Sequence, residues 1–444
     1  MMNEVTGSAA TSETGLIRAI GVRGLATNVV NNVVGSGIFV LPAVVAATLG
    51  PSAIIAYVIC AVAIGLIGLS FAAAGSRVSE SGGTYAYAEA AFGSFTGFLT
   101  GVLFGLSQMV SAAAIATVFA GSIAALIPSF AAPVPRASLL VLIYLGFAAV
   151  NVRGVKAGVR VMEALTVVKV IPLIVLVLVG AFFVHPVNLR WTSMPTIGAI
   201  STACLLLIFT FTGIEGAVTA SGEVSQPSRT VPRAIVVGLG AVSLLYIMVQ
   251  LVAQGVLGPD LALDQTAPLA SVAERMFGTV GRTLIASAMA VSAFGYLSGD
   301  MLTTPRLLFA FGRDGFLPAR VGSVSPRYHT PVIAILLYGA LTCGFALTGT
   351  FQSLVILATV STLFVYIVTC LAAIELRRRH VVADGPPFEP IGGPVIPLLA
   401  CGVIVWMLTG AARKEFMAVG ATLVVAVILY SIRAVARKPV TSAP

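Results

Sequence analysis

The chain has 444 residues, of which 58% are hydrophobic and only 9% charged, with a formal net charge of +9 and a mean hydropathy of +1.05. Soluble domains average about 45–50% apolar and about 25% charged residues, so the missing charges are those that keep a surface wet, and the solvent must be lipid. These figures exclude a soluble domain, and the positive charge needs no nucleic acid partner, because contact with anionic lipid headgroups accounts for it.

Apolar runs near twenty residues predict about twelve membrane-spanning helices. In chain order they fall at 20–47, 52–75, 94–127, 137–151, 157–184, 194–221, 231–256, 278–309, 330–348, 353–376, 395–411 and 416–434. The loops between them are under about 20 residues, so a single all-α polytopic membrane domain is expected. Short tails, 1–19 and 435–444, flank it.

Assigning each Lys and Arg to a side under an even number of spans gives a bias of about three to one, which places both termini in the cytoplasm by the positive-inside rule. Arg77, Arg153, Arg229, Arg306, Arg313 and Arg377 all fall on that side. The five cysteines lie inside apolar segments in odd number, so neither a disulfide framework nor a CxxC metal site is expected. His185, His329 and His380 sit at segment ends, too little material for a metal centre, and no cofactor is expected.

The first span reads NVVNNVVGSGIFVLPA, with Gly35, Ser36 and Gly37 where a membrane helix should be uniformly apolar. A cleaved signal peptide would instead carry an unbroken apolar run of about 7–15 residues, whereas Asn28, Asn31 and Asn32 interrupt this one. The sixth span repeats the peculiarity as LLLIFTFTGIEGAVTASGE, with Gly213, Glu215 and Gly216 at the interruption. A break in lipid exposes backbone groups at a cost of several kcal/mol each, so it survives only where it lines a cavity or binds something. One break alone also reads as a notch of small residues for helix packing. Two breaks five spans apart point to two five-helix repeats of opposite orientation, 20–184 and 194–376, followed by two further helices at 395–434. Half-helix N-termini attract an anion and the opposed carbonyl ends a cation, so a zwitterion such as an amino acid fits the pair better than a sugar.

With VVGSGIFVLPA in the first span, SRVSESGGTYAYAEAAFG after the second, FTFTGIEGAVTASGEVSQPSRTVPRAI through the sixth, TPRLLFAFGRDGFLP after the eighth and PFEPIGGPVIP before the eleventh, the chain resembles the amino acid/polyamine/organocation (APC) superfamily. The resemblance runs from about residue 20 to about 400. It implies LeuT-like inverted repeats with discontinuous first and sixth helices, and transport by alternating access. It also implies that a substrate carboxylate meets the unwound first helix at Val34, Gly35, Ser36, Gly37 and Ile38. The amino group would meet carbonyls of Phe209, Thr210, Thr212 and Gly213, with Phe209 in place to close over the substrate.

Three ionisable residues lie inside spans. Lys169 sits about 18–20 Å along the fifth span, near mid-membrane, where a charge costs at least about 2.5–3.5 kcal/mol. Several proton-coupled members of the superfamily have a fifth-helix lysine whose ammonium replaces a sodium ion, which makes Lys169 a candidate proton-coupling residue; the other reading is a charged strut bonded to first-helix carbonyls. Glu215 matches a glutamate that links substrate binding to protonation in some exchangers, and equally reads as a cap on the half-helix. Asp300 stands where a small residue is expected, toward the cytoplasmic end of the eighth span, and reads as a gating ion pair or a helix-end cap. The asparagines read as support for the break, with Asn32 a candidate for substrate contact.

The function expected from all this is a proton-coupled amino acid symporter of the cytoplasmic membrane, in which the first and sixth helices rock against the third, fourth, eighth and ninth. The alternative is an exchanger of cationic amino acids or polyamines, which Glu215 beside Phe209 favours. A channel would need a continuous polar stripe, and an enzyme would need a nucleophile with a base or metal partner. The expected partners are the amino acid, protons and membrane lipids, while the oligomeric state is not encoded in any segment.

Overall fold

The computed structural model describes residues 21–78, 83–153, 159–191, 193–215, 227–382, 386–390 and 392–436. The expected tail 1–19 and residues 437–444 of the expected tail 435–444 lie outside the described residues, as do Gly216 and parts of the SRVSESGGTYAYAEAAFG and GEVSQPSRT stretches. Among the described residues there are helices, turns and bends and no strand, as a lipid solvent requires of an open chain, since only a helix satisfies its own backbone.

The first expected span is two helices, α1 (Val22–Val33) and α2 (Leu41–Leu49), separated by a 3-10 turn. Next come α3 (Ile54–Gly75), the short α4 (Thr84–Phe92), α5 (Ser94–Leu126) and α6 (Pro133–Val152). Helix α7 (Val159–Gly180) closes the first half, and α8 (Ile197–Leu207) ends at the second interruption. The second half continues with α9 (Pro227–Leu257), α10 (Pro268–Thr303), the short α11 (Pro305–Arg313), α12 (Val332–Thr348) and α13 (Phe351–Arg378). Helices α14 (Val395–Leu408) and α15 (Arg413–Ala436) are the last helices among the described residues. Among the described residues, seven helical segments are long and apolar enough to cross a bilayer, and four more are shorter apolar helices.

Two differences from the sequence reading have a physical cause. Helix α10 begins ten residues before the expected 278 because a separate amphipathic turn, carrying Glu274 and Arg275, joins it at Gly278, whose φ of 64° bends the path. Helices α4 and α11 were hidden because each is only nine residues long and lies among polar loop residues.

Packing sorts the helices into two groups. Helices α1 and α3 both pack on α9, with α8 against α3 and α2 against α8. Helices α5, α6, α10 and α12 form the second group, and α13 lies along α5. Helix α5 is at the centre of that group, whereas α6 and α15 are peripheral and show Leu142, Leu145, Val424, Val425 and Ile428 outward. Outward apolar side chains are what a lipid-facing helix needs, because burial against protein gains nothing over burial in acyl chains.

Candidate functional site

The two interruptions meet. After α1 the backbone turns extended at Val34 (ψ 89°) and Gly35 (φ −102°, ψ −172°), then tightens into the 3-10 turn Ser36–Phe39 that leads into α2. The first amides of such a turn have no acceptor within it. After α8 a matching 3-10 turn, Ile208–Phe211, ends at the extended Thr212. Gly213 then takes φ 113°, and a Cβ there would lie 2.5 Å from the Asn32 carbonyl oxygen, so only glycine lets the second break back onto the first. Gly37 works the same contact from the other side: a Cβ would meet the Phe209 ring at 3.3 Å.

One hydroxyl joins the two breaks. Tyr246 on α9, fully buried, donates toward the Val33 carbonyl at 3.1 Å and the Thr210 carbonyl at 3.2 Å, while its ring packs edge-on against Phe211 at 5.1 Å. The Phe209 carbonyl is also engaged, by the Thr212 hydroxyl at 2.8 Å. The Val33 and Thr210 carbonyls each keep a second lone pair, whereas that of Phe209 also accepts the Thr212 amide at 3.3 Å.

Around the junction lies a cavity of about 130 Å³ walled by Gly35, Gly37, Phe209, Thr210, Thr212, Gly213 and Glu215. Sequence reasoning missed its opposite wall: Phe104, Ser107, Gln108 and Ser111 on α5, Tyr296 on α10 and Thr362 on α13. The α5 signal was present in LSQMVSAAA, where Ser107, Gln108 and Ser111 share one helical face of an otherwise apolar span. Ser36 and Ile38 are fully buried and do not line this cavity; the Ser36 hydroxyl lies 3.3 Å from that of Ser292 on α10.

A second cavity, of about 420 Å³, shares Asn32, Gly35, Phe104, Gln108 and Tyr296 with the first. It brings together Val34, Lys169 and Asp300, and runs past Thr303 and Thr304 to Leu307. Lys169 donates to the Asn31 carbonyl at 2.6 Å, at the last turn of α1. Pro172, three residues along α7, has no amide to give the carbonyl of residue 168, which loosens the helix beside the lysine. The Asn32 amide bonds back to Asn28, to its carbonyl and its side chain, both at 2.9 Å.

The two carboxylates are occupied differently from the ion-pair reading. Glu215 is buried, and one of its oxygens accepts both the Gly213 amide at 3.1 Å and the Tyr366 hydroxyl at 2.6 Å. It therefore ties off the broken end of α8 to α13. Asp300 accepts from the hydroxyls of Thr304, at 2.7 Å, and Tyr338. Its described partners are the hydroxyls of Thr304, just past the end of α10, and of Tyr338 on α12. Tyr338 and Tyr366 lie within spans, away from the interfacial belts where tyrosine is commonest, and no sequence signal marked their hydroxyls as partners of these carboxylates.

A profile of the amino acid permease family matches the chain over residues 20–432. Relatives from Bacillus subtilis (strain 168) align along most of its length. The methylthioribose transporter is 28% identical over 397 residues, 85% of this chain and 84% of its own. The branched-chain amino acid permease BcaP is 25% identical over 414 residues, 88% of each chain. The serine/threonine exchanger SteT is 27% identical over 432 residues, 94% of this chain and 96% of its own.

Proposed function

The chain belongs to the amino acid permease family, as a multi-pass membrane transporter and not an enzyme, and from that premise we propose that it carries small neutral amino acids into the cell by proton-coupled symport with alternating access. The observation that carries this reading is the junction of the two breaks at one cavity, beside a lysine bonded to the last turn of α1. The substrate carboxylate is held by amides of Val34–Ile38 and its ammonium by carbonyls of Phe209, Thr210, Thr212 and Gly213, under Phe209. Opposed helix ends suit a zwitterion. The narrowness of the first cavity favours a small side chain.

In this reading the two halves of the chain are LeuT-like inverted repeats, and the arginine-rich end of the bundle faces the cytoplasm. The group containing α1 and α8 rocks against the group containing α5, α6, α10 and α12. Lys169 carries the coupled proton: charged, it bridges α7 to α1; neutral, it releases that bridge. Glu215 acts as a cap, since its oxygen already serves two donors. That engagement counts against the cationic exchanger, which needs a free carboxylate for its substrate. Exchange of neutral amino acids has the likeness to the serine/threonine exchanger in its favour.

Uptake of a radiolabelled amino acid panel into proteoliposomes, with and without an acidic exterior, separates these readings. Accumulation is expected for small neutral amino acids under the proton gradient, falling at least about tenfold in Lys169→Ala, which is about 1.4 kcal/mol of lost driving coupling. If no amino acid moves under any gradient, or only counterflow against internal substrate occurs, the symport reading fails.

A further inference from the structure

The face of α10 toward the second cavity has helical spacing: Ser292, Gly295, Tyr296, Gly299, Asp300 and Thr303. Two glycines on this face leave open the volume that side chains would fill. The cavity continues to Leu307 on α11, about 20 Å from Ser292 along the helix direction. Lys169 enters it from α7 and Asp300 from α10, the cation and the carboxylate of the described lining. An ammonium has three hydrogens. One of them goes to Asn31, and no described residue takes the other two.

We propose that Asp300 is the proton acceptor through which Lys169 discharges toward the arginine-rich end, an inference that rests on Lys169 being the coupling group. The Lys169 ammonium gives a proton to water in the shared cavity and becomes a neutral amine. The proton passes along that water to the Asp300 carboxylate, which becomes a carboxylic acid and then releases it to bulk water beyond Thr303 and Leu307. One proton moves and no electrons do. The charge balance supports the route: before transfer the cavity holds one cation and one anion, after transfer neither, and the single carboxylate charge that returns on release lies at Asp300, where the cavity runs out past Thr303 and Leu307.

The surroundings fit a carboxylate that changes charge. The groups facing Asp300 are Tyr296 on its own helix, Tyr144 on α6, Tyr338 on α12 and Lys169 across the cavity on α7. Helix α5 presents the uncharged Gln108, and Arg306 on α11 is turned to the Leu302 carbonyl. Thr304 and Tyr338 fix the carboxylate without neutralising it.

The test compares two transport modes of the full chain in proteoliposomes. Counterflow of labelled against unlabelled substrate needs no net proton release, whereas gradient-driven uptake does. Asp300→Asn is expected to lower gradient-driven uptake at least about tenfold while counterflow stays within about twofold of wild type, a split equal to about 1 kcal/mol or more of differential effect. Unchanged gradient-driven uptake in Asp300→Asn overturns the inference. Should that variant lose both modes, Tyr338→Phe decides, because it keeps the carboxylate and removes one of its two hydroxyl donors. A shift of about half a unit or more in the internal-pH dependence of uptake, with counterflow retained, supports the relay, and an unmoved profile overturns it. A wild type that accumulates substrate with no dependence on the proton gradient overturns the coupling reading itself, which the Lys169→Ala measurement identifies separately.

Discussion

Gly213 and Gly35 make opposite demands on their positions although both sit in a break. At Gly213 the φ of 113° and the Asn32 carbonyl leave no place for a Cβ, whereas a Cβ at Gly35 would have its nearest neighbour at 3.9 Å and the backbone is ordinary extended chain. Gly213→Ala is therefore expected to destabilise by about 1–3 kcal/mol, visible as a lower melting midpoint in detergent together with loss of uptake. Gly35→Ala is expected to melt near wild type, and equal destabilisation by the two would contradict the junction described here. This distinction was not legible in the sequence, where both residues were simply glycines inside apolar runs. Lys169 was legible because a charge in a span has no inconspicuous explanation. Tyr246, Tyr338 and Tyr366 were not, because an aromatic side chain in a span reads as lipid contact or core until its hydroxyl is placed.

At the level of elements, apolar runs located the spanning helices well, because the lipid requirement leaves a sequence little choice but helix. What escaped were pieces whose stability comes from neighbours. The segment after α13 illustrates this: the Arg77 guanidinium, buried at the end of α3, donates to the Val381 carbonyl at 3.1 Å and to Glu389 at 3.0 Å, while Arg377 reaches the other oxygen of Glu389 at 3.2 Å. The Ser76 hydroxyl adds an acceptor for the Phe388 amide at 3.0 Å. Arg77 thus straps the connection between α13 and α14 beneath α3. Removing it in Arg77→Met leaves a backbone carbonyl and a carboxylate without their shared donor, at an expected cost of about 1–3 kcal/mol. Glu389 is half exposed, so Glu389→Gln should cost under about 1 kcal/mol. Thermal unfolding of the two variants checks the order, and a reversal would mean that the ion pair, not the carbonyl contact, holds the strap.

For the whole molecule, two of the arginines that the sequence assigned to one side, Arg77 and Arg377, meet at Glu389 in that strap, and a third, Arg433, stacks on Phe316 with 3.9 Å between the guanidinium carbon and the ring centroid. If this end is cytoplasmic, a fluorescent protein fused to the C-terminus is expected to fluoresce and an alkaline phosphatase fused at the same point to stay inactive. The opposite pattern would reverse the orientation and, with it, the direction assigned to the proton. The sequence pointed to the two breaks as one site, and the structure brings residues of both to one cavity, but the wall opposite them was not legible. That wall comes from α5, α10 and α13, whose contributing residues are few, small and far apart in the chain.

Tyr246 has a consequence for how this site can change over evolutionary time. Its single hydroxyl proton is shared between a carbonyl of each interrupted helix, and Gly213 fits only against the particular path that α1 takes at Asn32. Neither loop is free to drift alone. A chimera that imports 33–40 from a relative with different cargo should fail unless 207–215 travel with it, so new specificities would be inherited as matched pairs of loops, with tolerance for single changes confined to the α5 wall.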